Sequence, residues 1–232
     1  MLHQSVKVPT DQLRGLERTE NRSYENGFYW FSETGRIAKL LAHHELYRSI
    51  MDLPGDVFEL GVYKAASLIR FATFRSLFEN DQSRKIVGFD AFGSFPRDGL
   101  ALDSDLSFID RFEEAGGDGL TQEEVSILLD DKGFSNIALE AGNVFDTLPS
   151  YLARYPATRL ALLHLDMDVQ EPTAFALELL WDRIVPGGLV VIDDYNAVAG
   201  ATDAVDEFIS ARGLKLEKLG HYYVPAFIRK PA

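Results

Sequence analysis

Two short apolar runs stop abruptly on carboxylates. The first, Leu163, His164 and Leu165, meets Asp166, Met167, Asp168 and Val169; the second climbs from Gly187 and Gly188 through Leu189, Val190, Val191 and Ile192 to Asp193 and Asp194. A continuous apolar run is how a strand buried on both faces of a parallel sheet is written, and the acids mark where it emerges. Residues 171–184 between them have helix length and an apolar stripe of Phe175, Leu179 and Leu180, with Pro172 tolerable in the first turn. A right-handed crossover makes the two strands parallel. Their acids then share the carboxyl edge of the sheet, where open α/β sheets bind ligands. Carboxylates crowded together raise one another's pKa unless a cation or donor intervenes, so the pattern predicts a divalent metal with oxygen ligands.

The rest of the chain supplies strands and helices to build around this unit. Pro54 and Gly55 turn into a strand over residues 56–60 that ends at Gly61, and helix spacing follows over 64–78 through Leu68, Ile69, Phe71, Ala72 and Phe74. Strand, glycine and helix open a nucleotide-binding sheet, because the glycine admits a ligand to the backbone and the helix offers free N–H groups. The pattern Glu59-x-Gly61-x-x-x-Ala65 lacks the G-x-G-x-x-G of a pyrophosphate cradle, so on its own it is weak. A second strand over 85–90 ends in Asp90, placed to accept both hydroxyls of a ribose or, more plainly, to cap the following turn. A third strand spans 136–140 and leaves through Gly142 and Asn143 to a helix over 147–155. After Asp194 come a helix over 200–212 and a closing pair of strands over 214–219 and 223–228. Residues 97–133 are charged and Gly-containing, with short helices near 106–114 and 121–131. An insertion this long predicts a mobile cap over the strand edge, not a second domain.

Residues 1–34 read as a strap or lid. Phe28, Tyr29, Trp30 and Phe31 in succession are expected to pack on the body or on a neighbouring subunit, which predicts a homo-oligomer. A helix over 35–51 carries Ile37, Leu40, Leu41, Tyr47 and Ile50 on one stripe. His43 and His44 ride on it with no second ligand pair at a metal spacing, so both are expected as solvated or hydrogen-bonded histidines. With 232 residues and 46% hydrophobic content the chain can bury one core, and residues 35–232 are expected as one domain. Thirty-six acidic against 23 basic residues give a net charge of -13, which argues against nucleic acid and anionic membranes as partners. The absence of cysteine removes disulfides, thiolate nucleophiles and zinc-thiolate sites. No signal-peptide pattern and no membrane-length apolar run is present, so the expected location is the cytoplasm.

Several stretches carry a resemblance. They are Glu59-Leu60-Gly61-Val62-Tyr63, Gly88-Phe89-Asp90-Ala91-Phe92, Asp146-Thr147-Leu148-Pro149, Leu165-Asp166-Met167-Asp168, and Pro186-Gly187-Gly188 through Asp193-Asp194-Tyr195. In this order the chain resembles the macrocin O-methyltransferase family of S-adenosylmethionine-dependent enzymes, and within it the dTDP-6-deoxy-L-hexose 3-O-methyltransferases. Asn26-Gly27-Phe28, Leu53-Pro54-Gly55-Asp56 and Ala204-Val205-Asp206-Glu207-Phe208 support the narrower likeness. The resemblance implies an α/β, Rossmann-like class I methyltransferase fold with a mostly parallel sheet, helices on both faces and a helical cap. It also implies S-adenosylmethionine as donor, Mg2+ (or Mn2+ or Ca2+) at the substrate site, and a small-molecule sugar hydroxyl as acceptor. Residue by residue, it gives Glu59 and Gly61 to the donor's methionine end, Asp90 to its ribose and Asn143 to the neighbourhood of its adenine. Tyr63, Ser67, Phe92 and Asp166 complete the implied donor site, and Asp166, Asp193 and Asp194 match the metal-binding acids. Ala65 and Ala66 stand where the family usually has Gly, and Gln170 replaces a common Tyr.

A sugar hydroxyl is a poor nucleophile, and methyl transfer from a sulfonium needs oxygen, carbon and sulfur in line. A base must take the hydroxyl proton. Catechol-type relatives place a Lys three residues beyond the first metal Asp, but Val169 stands there, so the nominees are Asp166 and Asp168. Asp168 has a second reading as the N-cap of the helix starting at Glu171. Two rivals stay open. Asp166-Met167-Asp168-Val169 also fits the D-x-D-x-V nucleophile motif of Mg-dependent haloacid-dehalogenase-like phosphatases, although that fold opens with its nucleophile strand and here three strands precede it. The other rival is a non-catalytic donor-binding subunit.

Overall fold

The computed structural model describes residues 10–231. A small ribbon of β1 (Gln12–Leu13) and β2 (Leu16–Glu17) leads into helices α1 (Asn21–Phe31) and α2 (Thr34–Arg48). Then come β3 (Asp56–Leu60), α3 (Ala66–Phe78) and β4 (Ile86–Asp90), followed by the inserted helices α4 (Asp103–Gly116) and α5 (Gln122–Asp131). The chain returns through β5 (Ile137–Ala141), α6 (Val144–Arg154), β6 (Leu160–Leu165), α7 (Gln170–Leu180) and β7 (Ile184–Ile192). It closes with α8 (Ala199–Arg212), β8 (Leu216–Lys218) and β9 (Ala226–Arg229).

Seven strands form one sheet in the order β5-β4-β3-β6-β7-β9-β8, parallel except for β9, which runs antiparallel to both its neighbours. The winding reverses between β3 and β6, and a crevice opens at such a switch point. Register fixes what lies there. Leu60 pairs with Leu165 and Leu165 with Ile192, so Gly61, Asp166 and Asp193 emerge side by side. Side chains alternate between the two faces of each strand. Phe58, Leu60, Leu163 and Leu165 pack with residues of α6, α7 and α8, while Val57, Leu162 and Val191 pack with residues of α2, α3 and α5. All six residues of β6 are buried, as its apolar run requires.

The insertion is fastened to the strand edge at both ends of α4. The Asp105 carboxylate accepts the Gln170 N–H (2.8 Å) at the start of α7, and Glu171 accepts the Ala101 N–H (2.7 Å). At the other end the Tyr63 hydroxyl donates to the Gly116 carbonyl (2.7 Å), and the Leu120 N–H donates to the Tyr63 carbonyl (2.9 Å).

One expectation is narrowed and one is corrected. Of the two surfaces expected for the aromatic patch, the body is not the one: α1 buries none of its residues within the chain, and Tyr29, Trp30 and Phe31 are 61%, 70% and 83% exposed, which leaves the neighbouring subunit. Four consecutive aromatics on a helix point about 100° apart, so no single surface of the same chain can take them all. His43 is neither solvated nor hydrogen-bonded. It is fully buried against Phe71 and His164, because α2 turns that face toward α3 and the sheet. His44 is partly buried and rests on Phe74 and Phe78.

Candidate active site

A cleft with a cavity volume of about 120 Å³ opens over the carboxyl ends of β3, β4, β5 and β6 and is walled by the insertion. Gly61, Tyr63, Asp90, Asn143, Asp166 and Asp168 line it. Gly61 has φ +93°, and a Cβ there would lie 1.8 Å from the Asp166 carbonyl oxygen, so only glycine lets the ends of β3 and β6 pass so closely. The Asp90 carboxylate accepts N–H groups of Val62 (2.7 Å), Tyr63 (3.0 Å) and Phe92 (2.6 Å). It therefore ties the loop after β3 to the loop after β4 while facing the cleft, which joins the turn-capping and ligand-facing readings. Asn143 caps α6 by accepting the Phe145 N–H (3.1 Å). Ala65, just before α3, takes φ +58°, a left-handed conformation that is costly for a residue with a Cβ.

The other donor-site candidates lie outside the cleft lining. Glu59 is fully buried and accepts a hydrogen bond from the Ser67 hydroxyl, and Phe92 packs against the core on the α3 side.

The acids divide into two groups. Donor oxygens of Asp166, Asp168 and Asp194 converge within 4.8 Å, and the Asp168 N–H donates to Asp194 (3.0 Å). Desolvation, then Asp193 and Asp194, push the Asp166 carboxyl well above the ordinary carboxylate range. Desolvation and then Asp166 push Asp168 up to about 7, and desolvation with Asp168 raises Asp194 strongly. The capping role for Asp168 is not realised: Val169 is the N-cap of α7, and no side chain caps it.

Asp193 turns the other way. Lys39 of α2 forms an ion pair with it, and the Nε2 atoms of His43 and His164 lie 3.8 and 3.7 Å from its Oδ1. Burial would raise Asp193, but His164, His43 and Lys39 outweigh it and hold the carboxyl well below its usual range. Burial pushes His43 down to about 4. It would lower His164 too, but Asp193 and Glu59 prevail and carry that imidazole up to about 10; its Nδ1 lies 3.7 Å from Glu59. Of the expected metal set, the structure thus joins Asp166 and Asp194, adds Asp168, and places Asp193 on Lys39.

Three mutually repelling carboxylates suit a hard cation with oxygen ligands, and no thiolate is available to favour a softer one. Sequence reasoning missed Lys39 and His164 and gave His43 no part in the site. The signal was there for His164, the one polar residue inside the apolar run of β6, and for Lys39 and His43, which stand four apart on one face of α2.

Among known proteins, the chain is 34% identical over 172 residues to the 8-demethyl-8-(2,3-dimethoxy-alpha-L-rhamnosyl)-tetracenomycin-C 4'-O-methyltransferase of Streptomyces olivaceus, covering 70% of this chain and 60% of that protein. It is 28% identical over 175 residues to the mycinamicin III 3''-O-methyltransferase of Micromonospora griseorubida, covering 71% of this chain and 64% of the relative. The chain therefore spans about three fifths of the length of the curated relatives it matches. The structure of CalS11, a TDP-rhamnose 3'-O-methyltransferase of calicheamicin biosynthesis, superimposes with TM-score 0.65 at 27% identity, covering 90% of this chain and 85% of that one. The O-methyltransferase NovP has the same fold, with TM-score 0.71 at 23% identity over 83% of this chain and 79% of that one. The sequence profile of the macrocin O-methyltransferases (TylF) matches residues 32–224, and the chain belongs to that family.

Proposed function

We propose that this chain moves the methyl group of S-adenosylmethionine onto a hydroxyl of a deoxysugar, at a site that a divalent cation completes. The observation that carries this reading is the convergence of Asp166, Asp168 and Asp194 beside the cleft of Gly61 and Asp90, in a chain of this family. Asp90, at the end of β4, is the residue for the donor's ribose, with Gly61 and Tyr63 against the rest of the donor and Asn143 toward its base. Asp166 and Asp194 would hold the cation, which when bound would orient sugar oxygens and ease deprotonation of the one attacked.

The chain's own work is positioning and proton transfer. The oxygen–carbon bond forms as the carbon–sulfur bond breaks, its electron pair goes to sulfur, and the hydroxyl proton goes to a carboxylate. Asp168 is the base we favour over Asp166, because it lines the cleft next to the cation-holding pair while its main-chain N–H is fixed on Asp194. The insertion, fastened through Asp105 and Tyr63, would exclude water from the reacting atoms. Among the described residues no helix is long and apolar enough to cross a membrane.

The test is methyl transfer followed by mass spectrometry. Purified protein with S-adenosylmethionine and Mg2+ should add one methyl group to a deoxysugar acceptor, and EDTA should stop turnover while leaving S-adenosylhomocysteine binding nearly intact. Full activity in EDTA would refute the role of the cation. Failure to bind S-adenosylhomocysteine would refute the methyltransferase reading itself.

A further inference from the structure

Sequence spacing offers His43 no partner ligand on α2, but the fold supplies two from the sheet. His43, His164 near the end of β6 and Asp193 just after β7 bring donor atoms within 4.8 Å of one another. The Nε2 atoms of His43 and His164 stand 3.8 and 3.7 Å from the Asp193 Oδ1. These separations are too long for hydrogen bonds, which close at about 2.7–3.2 Å. They suit bonds that meet at one ion, since ligand atoms around a tetrahedral metal at about 2.0–2.2 Å lie roughly 3.3–3.6 Å apart.

Among the described residues, neither ring nitrogen of His43 or of His164 has a hydrogen-bond partner, nor does the Asp193 Oδ1. Both imidazoles are completely buried and Asp193 is 7% exposed, so bulk water does not satisfy them. An orphaned polar atom at this depth is costly, and three brought together call for an occupant. The surroundings are those of a metal ligand set. A ligating histidine commonly turns its other ring nitrogen to a carboxylate, and the His164 Nδ1 faces Glu59 at 3.7 Å, while the Ser67 hydroxyl holds Glu59 in turn. A ligating carboxylate is commonly tethered through its free oxygen, and Lys39 pairs with the Asp193 Oδ2. Phe71 closes the apolar side, its ring 5.3 Å from that of His43 and 5.4 Å from that of His164.

We propose that His43, His164 and Asp193 bind a divalent transition metal of the Zn2+ class, at a second site beneath the sheet edge and separate from the cation of Asp166 and Asp194. Asp193, which the resemblance matches to the hard-cation acids, is the one acid of that set that the structure turns toward imidazoles. Two imidazoles and one carboxylate suit Zn2+, whereas Mg2+ and Ca2+ take oxygen ligands, so the two sites sort their ions by chemistry. Binding releases the proton that His164 otherwise carries, while His43 is neutral already. The ion joins α2 to the ends of β6 and β7, so its work is structural: it fixes the turn that presents Asp194 to the acid cluster.

The test uses the full chain without an affinity tag, purified from zinc-supplemented culture and dialysed free of loose metal. Elemental analysis should find about one zinc per chain. X-ray absorption at the zinc edge should show two imidazoles and no sulfur. The double variant His43→Gln with His164→Gln should lower the zinc content by about tenfold or more, with circular dichroism reporting that it is folded. Asp166→Asn, a change in the acid cluster, should leave the zinc in place, and excess Mg2+ should not displace it. If the double variant does not fold, the absorption spectrum of the parent decides by itself. The inference falls if the parent neither carries zinc nor takes up Zn2+ on titration, or if the spectrum shows oxygen ligands alone. It falls equally if the zinc survives both histidine changes, or leaves with Asp166→Asn in a folded chain. None of these readouts requires methyl transfer, so the metal site stands or falls apart from the proposed function.

Discussion

Gly61→Ala tests the contact on which the whole site depends. The added Cβ would lie 1.8 Å from the Asp166 carbonyl oxygen and 2.7 Å from its carbonyl carbon. Ordinary contact is about 3.5 Å, so the ends of β3 and β6 must separate by roughly 1.5 Å, and no side-chain rotation can relieve a clash with backbone. The left-handed φ of +93° adds strain of about 1–2 kcal/mol for a residue with a Cβ. Overpacking adds about 1–3 kcal/mol, for a total of about 2–5 kcal/mol. In a domain of this size each kcal/mol is worth about 2–4 °C, so the melting temperature should fall by roughly 4–20 °C. Activity should fall further than stability. Asp166 belongs to the displaced backbone, and a misplacement of about 1 Å at reacting groups costs about 100-fold. Thermal unfolding with single-turnover methyl transfer measures both. An alanine variant that melts within a degree of the parent and transfers methyl normally would mean that β3 and β6 do not meet in this register.

Two other perturbations probe the acids separately. Asp168 titrates near 7 in the folded chain, against about 3.9 for an ordinary Asp, so between those values the folded state holds a proton that the unfolded state has released. Its contribution to stability therefore declines as pH rises from about 4 to 7 in cation-free buffer, and the melting temperature of Asp168→Asn minus that of the parent should grow across this window. A constant difference would remove the shift. Asp90→Ala should weaken S-adenosylhomocysteine binding by one charge-assisted bond or more, about 1.5–3 kcal/mol each, and leave Mn2+ binding at Asp166 and Asp194 in place. It should also loosen the two loops that Asp90 ties through Val62, Tyr63 and Phe92. Unchanged affinity by calorimetry would take Asp90 out of the donor site.

The sheet was legible because its strands announce themselves. β3, β4, β6 and β7 are apolar runs ended by Gly61, Asp90, Asp166 and Asp193, and the shared edge follows from the crossover rule. Length and handedness were enough to place Gly61, Asp166, Asp193 and Asp194 together. The direction of each carboxylate was not legible, because it depends on contacts from a helix distant in sequence. Lys39 lies 154 residues from Asp193, and nothing local to either predicts their ion pair. The aromatic run of α1 left two surfaces open for a related reason: hydrophobicity predicts a wish for burial but not which surface grants it.

One edge carries both a compensated and an uncompensated set of acids, and the ion pair from Lys39 divides them. Glu59 pairs in register with His164, and His164 with Val191, so these side chains share a face; Asp193, two residues beyond Val191, returns to it. That face is covered by α2 and α3, and α2 brings Lys39. Glu59 and Asp193 thus meet His164 and Lys39, two negative groups against two positive ones, with His43 kept neutral by burial. Asp166, two residues beyond His164, has the same parity, but no basic side chain forms an ion pair with it among the described residues; Asp194, next to Asp193, points away, and its oxygens meet those of Asp166 and Asp168. The chain has therefore spent its buried cations on the set beneath the edge and left its surplus of negative charge facing the cleft. Under the proposed mechanism a cation from solution would add its charge there, beside the acceptor hydroxyl that gives up its proton.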